Sequence, residues 1–287
     1  MNPEVSGQAN RQPDAEATMK AARTALACLD LTSLNDADTP ADIERLCNRA
    51  SSPLGSPAAV CVWPRFAALA RSLLPADVAV AAVANFPAGG TDVASAVADT
   101  AAIVAAGAQE VDVVLPWRAL QAGDEAVCIA VLRAVRAACP GLKLKVIIES
   151  GELHDAALIR RASEIALDAG ADFLKTSTGK TATSATLAAA QVMLEVISAR
   201  AGVVGSVVGD VAGGAVGSSA GFKASGGIRT VAEAAVYIAL VEKILGSGAA
   251  SAQRFRIGAS SLLNDIEAVL GGAAKSAGND SNAAPGY

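Results

Sequence analysis

The chain has 287 residues, enough for two small domains or one large α/β barrel. Hydrophobic residues make up 52% of it and aromatic residues only 3%, so any core must be built from small and branched side chains. The net charge is −5 with both signs spread along the chain, and the absence of a basic block excludes an evident nucleic-acid surface.

Residues Met1–Ala22 are polar, contain Pro3, Gly7 and Pro13, and lack the apolar stretch of a signal peptide. They read as an N-terminal tail. A first strand is expected at Thr24–Thr32, then a turn at Asp36–Pro40 and a helix to about Ala50. Ala58–Trp63 reads as the second strand, and Pro64 starts a helix to about Leu74. Asp77–Asn85 is the third, and Thr91 caps an alanine-rich helix that ends at Gly107. Gln109–Leu115 is the fourth, with a helix over Asp124–Ala138. Leu142–Glu149 is the fifth, with a helix over Asp155–Ala169. Asp172–Lys175 is the sixth, followed by a helix over Thr186–Arg200. Ala201–Ser219 is too long and glycine-rich for an ordinary connection and reads as an insertion. Ala220–Ala224 is the seventh strand, with Thr230 opening a helix to Leu245. Arg254–Gly258 is the eighth, and Ser260 begins a helix that ends at Gly271-Gly272. Ala273–Tyr287 reads as a flexible polar tail.

Strand and helix alternate eight times with short connections, the signature of parallel βαβ units. Eight units in about 250 residues predict a (β/α)8 TIM barrel over residues 23–272. A doubly wound open sheet is the structural rival, but the GxGxxG turn it usually carries after its first strand is absent.

No run of about 20 apolar residues could span a membrane; the nearest, Ala201–Ala220, is interrupted by Asp210. Cys28, Cys47, Cys61, Cys128 and Cys139 are odd in number and show no CxxC spacing, which suits free thiols and a cytoplasmic chain. The single histidine, His154, argues against histidine triads and multi-histidine metal sites. Acid–base chemistry falls to Lys, Asp, Glu, Cys or Tyr.

Side chains alternate across a strand, so the apolar face of each strand identifies its opposite. Leu29 and Leu31 face the helices, leaving Cys28, Asp30 and Thr32 inward. Val111 and Val113 do the same, leaving Glu110, Asp112 and Val114 inward. Leu144, Val146 and Ile148 leave Lys143, Lys145, Ile147 and Glu149 inward. Lys175 ends the sixth strand, and Lys223 lies within the seventh. Alone, Lys175 is as easily read as a strand-end lysine reaching to water. Five inward charges (Asp30, Asp112, Lys145, Lys175 and Lys223) are hard to explain as packing, because barrel interiors are usually filled by branched apolar residues. A second ammonium at about 4 Å in an effective dielectric of about 20 costs about 4 kcal/mol, which could bring a lysine roughly three units down toward neutrality. A neutral amine can attack a carbonyl and form a Schiff base. Asp112 would oppose part of that shift and supply a carboxylate for proton transfer.

Gly226-Gly227-Ile228-Arg229 follows the seventh strand, and Gly258-Ala259-Ser260-Ser261 opens the last helix. The loops after strands seven and eight are where barrels bind phosphate, although ordinary capping by Thr230 and Ser260 explains the same residues. Gly179-Lys180-Thr181 resembles the end of a P-loop, but Leu174 stands where its first glycine belongs, so nucleotide binding is rejected there. Lys180 instead suits a pocket wall or a phosphate partner. Cys61 reads equally as a thiol near the pocket or as a buried structural cysteine.

Seven stretches resemble the deoxyribose-phosphate aldolases, a class I aldolase family. They are Asp30–Thr39 (DLTSLNDADT), Ala58–Phe66 (AAVCVWPRF), Glu110–Leu120 (EVDVVLPWRAL), Leu144–Leu153 (LKVIIESGEL), Gly170–Lys180 (GADFLKTSTGK), Gly221–Thr230 (GFKASGGIRT) and Arg256–Leu263 (RIGASSLL). The resemblance implies reversible cleavage of 2-deoxy-D-ribose 5-phosphate to D-glyceraldehyde 3-phosphate and acetaldehyde, with no cofactor or metal, and a place in deoxyribonucleotide catabolism. It implies that Lys175 forms the Schiff base, that Lys223 perturbs it and joins the proton relay, and that Asp112 is the relay carboxylate, working through water. It places Gly226, Gly227, Ser260 and Ser261 on the phosphate, with Asp30, Thr32 and Lys145 at the substrate. The implied partner is a small sugar phosphate, with no nucleic acid or membrane, and the implied assembly is a homodimer. Many bacterial members end in a tyrosine that reaches the site, so Tyr287 is expected to assist proton transfer, the alternative being an inert end. Ala224-Ser225 departs from the family's frequent Pro-Ala, and Ala201–Ser219 is an insertion whose effect the resemblance leaves open. The rival functions are another phosphate-binding barrel enzyme, such as a sugar-phosphate isomerase, and a catalytically silent binding barrel.

Overall fold

The computed structural model describes residues 11–207 and 220–279. Eight parallel strands close in sequence order into a (β/α)8 barrel. They are β1 (Leu29–Thr32), β2 (Ala59–Val62), β3 (Ala79–Ala84), β4 (Glu110–Val114), β5 (Lys143–Ile147), β6 (Phe173–Lys175), β7 (Gly221–Ser225) and β8 (Phe255–Ala259). β8 pairs back onto β1 in register, Asp30 against Gly258, so no edge is left exposed.

The helices start where the local chemistry favours them. Thr39 caps α2 (Pro40–Arg49) in a capping box with Asp42, and Thr230 caps α10 (Val231–Leu245) in another with Glu233. Single aspartates do the same work elsewhere: Asp92, rather than the expected Thr91, for α4 (Val93–Ala105), Asp124 for α6 (Glu125–Ala138) and Asp155 for α8 (Ala156–Asp168). Pro64 begins α3 (Pro64–Leu73). The apolar strand faces, among them Leu29, Leu31, Val111, Val113, Leu144 and Val146, are sealed beneath these helices in one continuous core.

Four features differ from the expected elements. Arg11–Ala27 is a helix, α1, that packs on α10 and on α11 (Leu262–Asn279), so helical chain begins within the stretch read as a tail and takes over the first residues assigned to β1. Ala22, Ala25 and Leu26 sit on one face of α1 at i, i+3, i+4 spacing and are buried. Two short helices, α5 (Trp117–Gln121) and α7 (Ser150–Leu153), occupy stretches read as loops. α9 (Leu187–Val207) runs past Arg200 into the expected insertion, whose remainder at 208–219 lies outside the described residues. α11 likewise continues beyond Gly272, and Tyr287 is outside the described residues. Among the described residues no helix is long and apolar enough to cross a membrane.

The barrel interior is divided. On the β2–β3 side it is apolar, with Cys61, Ala81 and Val83 packed against Leu34. On the other side it is charged. Near the strand starts, Phe173 lies in the interior with Arg256 over its ring at 5.6 Å and Lys143 at 5.5 Å. Gly221 makes room for that ring: a Cβ there would lie 2.4 Å from Phe173 Cε1. Gly221→Ala should therefore cost about 1–3 kcal/mol of stability, read from urea midpoints, because a ring walled in by strands has little room to retreat.

Candidate active site

The interior charges come from five strands and β8, each placed by alternation. Asp112 accepts from three lysines. Lys145 Nζ donates to its Oδ1 at 2.8 Å, while Lys175 Nζ and Lys223 Nζ both donate to its Oδ2 at 2.8 Å. Asp30 accepts from Lys223 at 2.5 Å and from Arg256 at 2.6 Å, and Lys145 lies 3.2 Å away. Glu110 accepts from Arg256 at 2.8 Å, with Lys145 Nζ at 2.5 Å. Asp30, Asp112, Lys145 and Lys223 are 0% exposed and Lys175 2%, so water does little to screen these charges.

The arrangement has an imbalance of one. Four cations, Lys145, Lys175, Lys223 and Arg256, face three carboxylates, Asp30, Glu110 and Asp112. Lys143 also approaches Glu110 at 3.6 Å, but its side chain is 33% exposed and its charge is solvated. Lys175 has the fewest partners: one carboxylate oxygen, shared with Lys223. Burial disfavours the charge on every one of these groups, and the outcome depends on what opposes it. For Asp112, the three lysines outweigh burial and hold the carboxyl well below its ordinary value. For Lys145, Asp112, Asp30 and Glu110 outweigh it and hold the ammonium well above. Lys223 is also held above, by Asp112 and Asp30. Lys175 alone among the three goes down: burial dominates, Asp112 opposes it, and Lys223 adds to the fall. Burial is thus the larger cause of the fall and the second ammonium the smaller one.

A cavity of about 300 Å³ opens above this network at the C-terminal strand ends. Its floor follows from the period of two: Thr32, Ser225 and Gly258 line it, each two residues beyond Asp30, Lys223 and Arg256. The walls include Thr178, Gly179 and Lys180 from the loop after β6, and Gly226 and Gly227 from the loop after β7. Both of these glycines after β7 have φ of +85°, a backbone that side-chain-bearing residues rarely adopt. Ser260 and Ser261 line the cavity immediately before α11, whose first N–H groups have no carbonyl partner within the helix. The structure thus brings the eight residues expected at the substrate into two tiers. Asp30 and Lys145 belong to the buried network; Thr32, Lys180, Gly226, Gly227, Ser260 and Ser261 belong to the cavity. Lys180 Nζ donates to the Leu34 carbonyl at 2.7 Å, bridging two mouth loops. Larger cavities lie on the outer side of α1 and at the N-terminal rim of the barrel, away from the cavity above the lysines.

Four further residues were given no role from the sequence, although Glu110 and Glu149 were read as facing inward and Arg229 as part of the loop after the seventh strand. Arg256 and Glu110 complete the network, and Arg229 lines the cavity as a second cation. Glu149 follows β5 with φ of 54°, accepts from Thr178 N and Thr181 Oγ1, and so anchors the loop that carries Lys180. Burial pushes its carboxyl up despite those bonds. Thr176 ties the two lysine strands together, accepting from Ser225 N at 3.0 Å. Cys61 is buried in the interior with Sγ 4.0 Å from Asp112 Oδ2, and burial followed by that carboxylate raises its thiol. Among the described residues, no group of three or more His, Cys, Asp or Glu could hold a metal ion. The carboxylate oxygens here are already occupied by cations.

A family model described as DeoC/LacD family aldolase matches residues 24–268. The chain belongs to this aldolase family. Among solved structures, a candidate deoxyribose-phosphate aldolase from Toxoplasma gondii ME49 is similar at a TM-score of 0.80 and 24% identity, covering 90% of this chain and 97% of that one. A candidate deoxyribose-phosphate aldolase from Coccidioides immitis shares 27% identity at a TM-score of 0.69, covering 86% and 87% of the two chains. An aldolase called QR15 shares 28% identity at 0.70, covering 88% and 98%. The DeoC/LacD aldolase match spans all eight strands, and so includes every residue of the buried network.

Proposed function

We propose that this chain is a class I deoxyribose-phosphate aldolase that uses Lys175 as its Schiff-base residue. The observation that carries the reading is the position of Lys175: buried, short of carboxylate partners, and three residues before Thr178, which lines a cavity edged by small residues and cations. Its neutral amine attacks the aldehyde carbon of open-chain 2-deoxyribose 5-phosphate; loss of water leaves an imine, and uptake of one proton on its nitrogen gives the iminium. The iminium withdraws electrons as the bond between the second and third sugar carbons breaks. The hydroxyl proton on the third carbon passes toward Asp112, directly or through water, and that carbon becomes the aldehyde of glyceraldehyde 3-phosphate. The two carbons left on Lys175 form an enamine, which is protonated and hydrolysed to acetaldehyde. Gly226, Gly227, Ser260 and Ser261 offer backbone N–H and hydroxyl groups to the phosphate, with Lys180 and Arg229 supplying charge.

The direct assay is release of glyceraldehyde 3-phosphate from 2-deoxyribose 5-phosphate. Isomerisation of a sugar phosphate without cleavage would favour the rival barrel chemistry. The pH dependence tests the state of Lys175. Because its pKa lies below 10.5, kcat/KM should rise with pH along a limb below that value. Lys223→Met removes a nearby cation, leaves three cations for three carboxylates, and so should move the limb to higher pH.

A further inference from the structure

We propose that Arg256 and Glu110 are positioning residues for Lys175: the guanidinium occupies Asp30 and Glu110 from the N-terminal half of the interior, leaving Lys175 as the surplus cation. This deepens the Schiff-base reading and rests on it for its catalytic meaning.

The geometry carries the point. Asp30 and Glu110 could each serve a lysine fully, but Arg256 takes Oδ1 of the first and spans both oxygens of the second. Lys223 keeps Asp30 Oδ2 at 2.5 Å and Lys145 keeps Glu110 Oε2 at 2.5 Å, but each shares that carboxylate with Arg256 and also takes one oxygen of Asp112 at 2.8 Å. Lys175 is left with an oxygen already in use. Arginine suits this task because it does not give up its proton, whereas a lysine in its place could release the charge that keeps the count uneven. Burial disfavours its charge too, yet Asp30 and Glu110 outweigh this and hold the guanidinium above its ordinary value. Phe173 supports it from below, and Gly221 supports Phe173.

The titratable groups around Lys175 are Asp112 from β4, Lys223 from β7 and the Cys61 thiol from β2. Glu149 acts on it from the loop after β5. Arg256 has no contact with Lys175 among these, so its influence passes through Asp30, Glu110 and the two lysines they release or hold.

Removing one member should therefore change the protonation of Lys175 in a direction set by counting. Arg256→Gln leaves three cations for three carboxylates, and a protonated Lys175 then balances the network. Glu110→Gln leaves four for two and should push the proton off more strongly. The double variant leaves three for two and restores a surplus of one.

The test is NMR titration of protein carrying 13Cε-labelled lysine, with the Lys175 signal assigned by its disappearance in Lys175→Leu. Arg256→Gln should raise the Lys175 midpoint by about one pH unit or more. Arg256→Lys should keep most of the parent value. Glu110→Gln should lower it, and the double variant should return toward the parent. If Arg256→Gln does not fold, Glu110→Gln and the double variant decide the matter alone. A midpoint that stays at the parent value in either folded single variant overturns the proposal, as does a double variant no closer to the parent than the singles. The titration needs no turnover, so failure to cleave the sugar phosphate would count against the aldolase reading and leave this one to the measured midpoints.

Discussion

Lys175→Leu should abolish turnover, by more than about 10⁴-fold in kcat, without lowering the stability of the barrel. The first half follows from losing the only proposed nucleophile. The second half follows from the charge count. Lys175 is the fourth cation facing three buried carboxylates, so its removal leaves a balanced network. A leucine also has no charge to desolvate. In the folded chain Lys175 titrates below 10.5, so between its folded value and 10.5 the unfolded chain binds a proton that the folded chain does not. That lowers the parent's stability as pH falls through this window. The deficit is fully present below the folded value and vanishes above 10.5. Lys175→Leu lacks it altogether. Its advantage over the parent, measured by denaturant unfolding, should therefore be greatest at low pH and close as pH rises.

Asp112→Asn should behave in the opposite way although the two side chains touch at 2.8 Å. It leaves Lys145, Lys223 and Arg256 against Asp30 and Glu110, a surplus that persists even with Lys175 neutral. Removing one partner of a buried ion pair costs about 3–5 kcal/mol, because the charge left behind is neither solvated nor matched. Turnover should fall by roughly 10²–10⁴-fold, the usual scale for a positioned acid–base group. Asp112→Asn at parental stability would mean that the carboxylate is not the keystone its three lysine contacts suggest. A double variant with Lys175→Leu should not recover stability, since Lys175 is already uncharged in the surplus state.

The network's main members were legible in the sequence because alternation is a strong constraint. Once Leu144 and Val146 are assigned to the helices, Lys145 has no choice but to face in, and the same holds for Asp112 between Val111 and Val113. The signal for Arg256 was present in the same form, since Phe255 and Ile257 flank it as the apolar face. Which carboxylate meets which lysine was not legible. That depends on how the strands stagger, for example Lys175 level with Lys223 and Lys145 level with Asp112, and a single strand does not encode its neighbours' register. α1 was missed because its buried face is Ala22, Ala25 and Leu26, and alanine marks a face only weakly. α5 and α7 have five and four residues, too few for a helical period to show. The αL backbone of Glu149 gave no warning either, as it lies at a non-glycine position.

The central claim is that Lys175 forms a covalent imine with the substrate. It is tested most directly by incubating the protein with 2-deoxyribose 5-phosphate, reducing with borohydride, and locating the modified residue by peptide mass. The structure predicts a reduced sugar-phosphate or ethyl adduct on Lys175, absent in Lys175→Leu and absent without substrate. An unmodified protein that still turns over substrate, or an adduct confined to Lys145, Lys180 or Lys223, would contradict it.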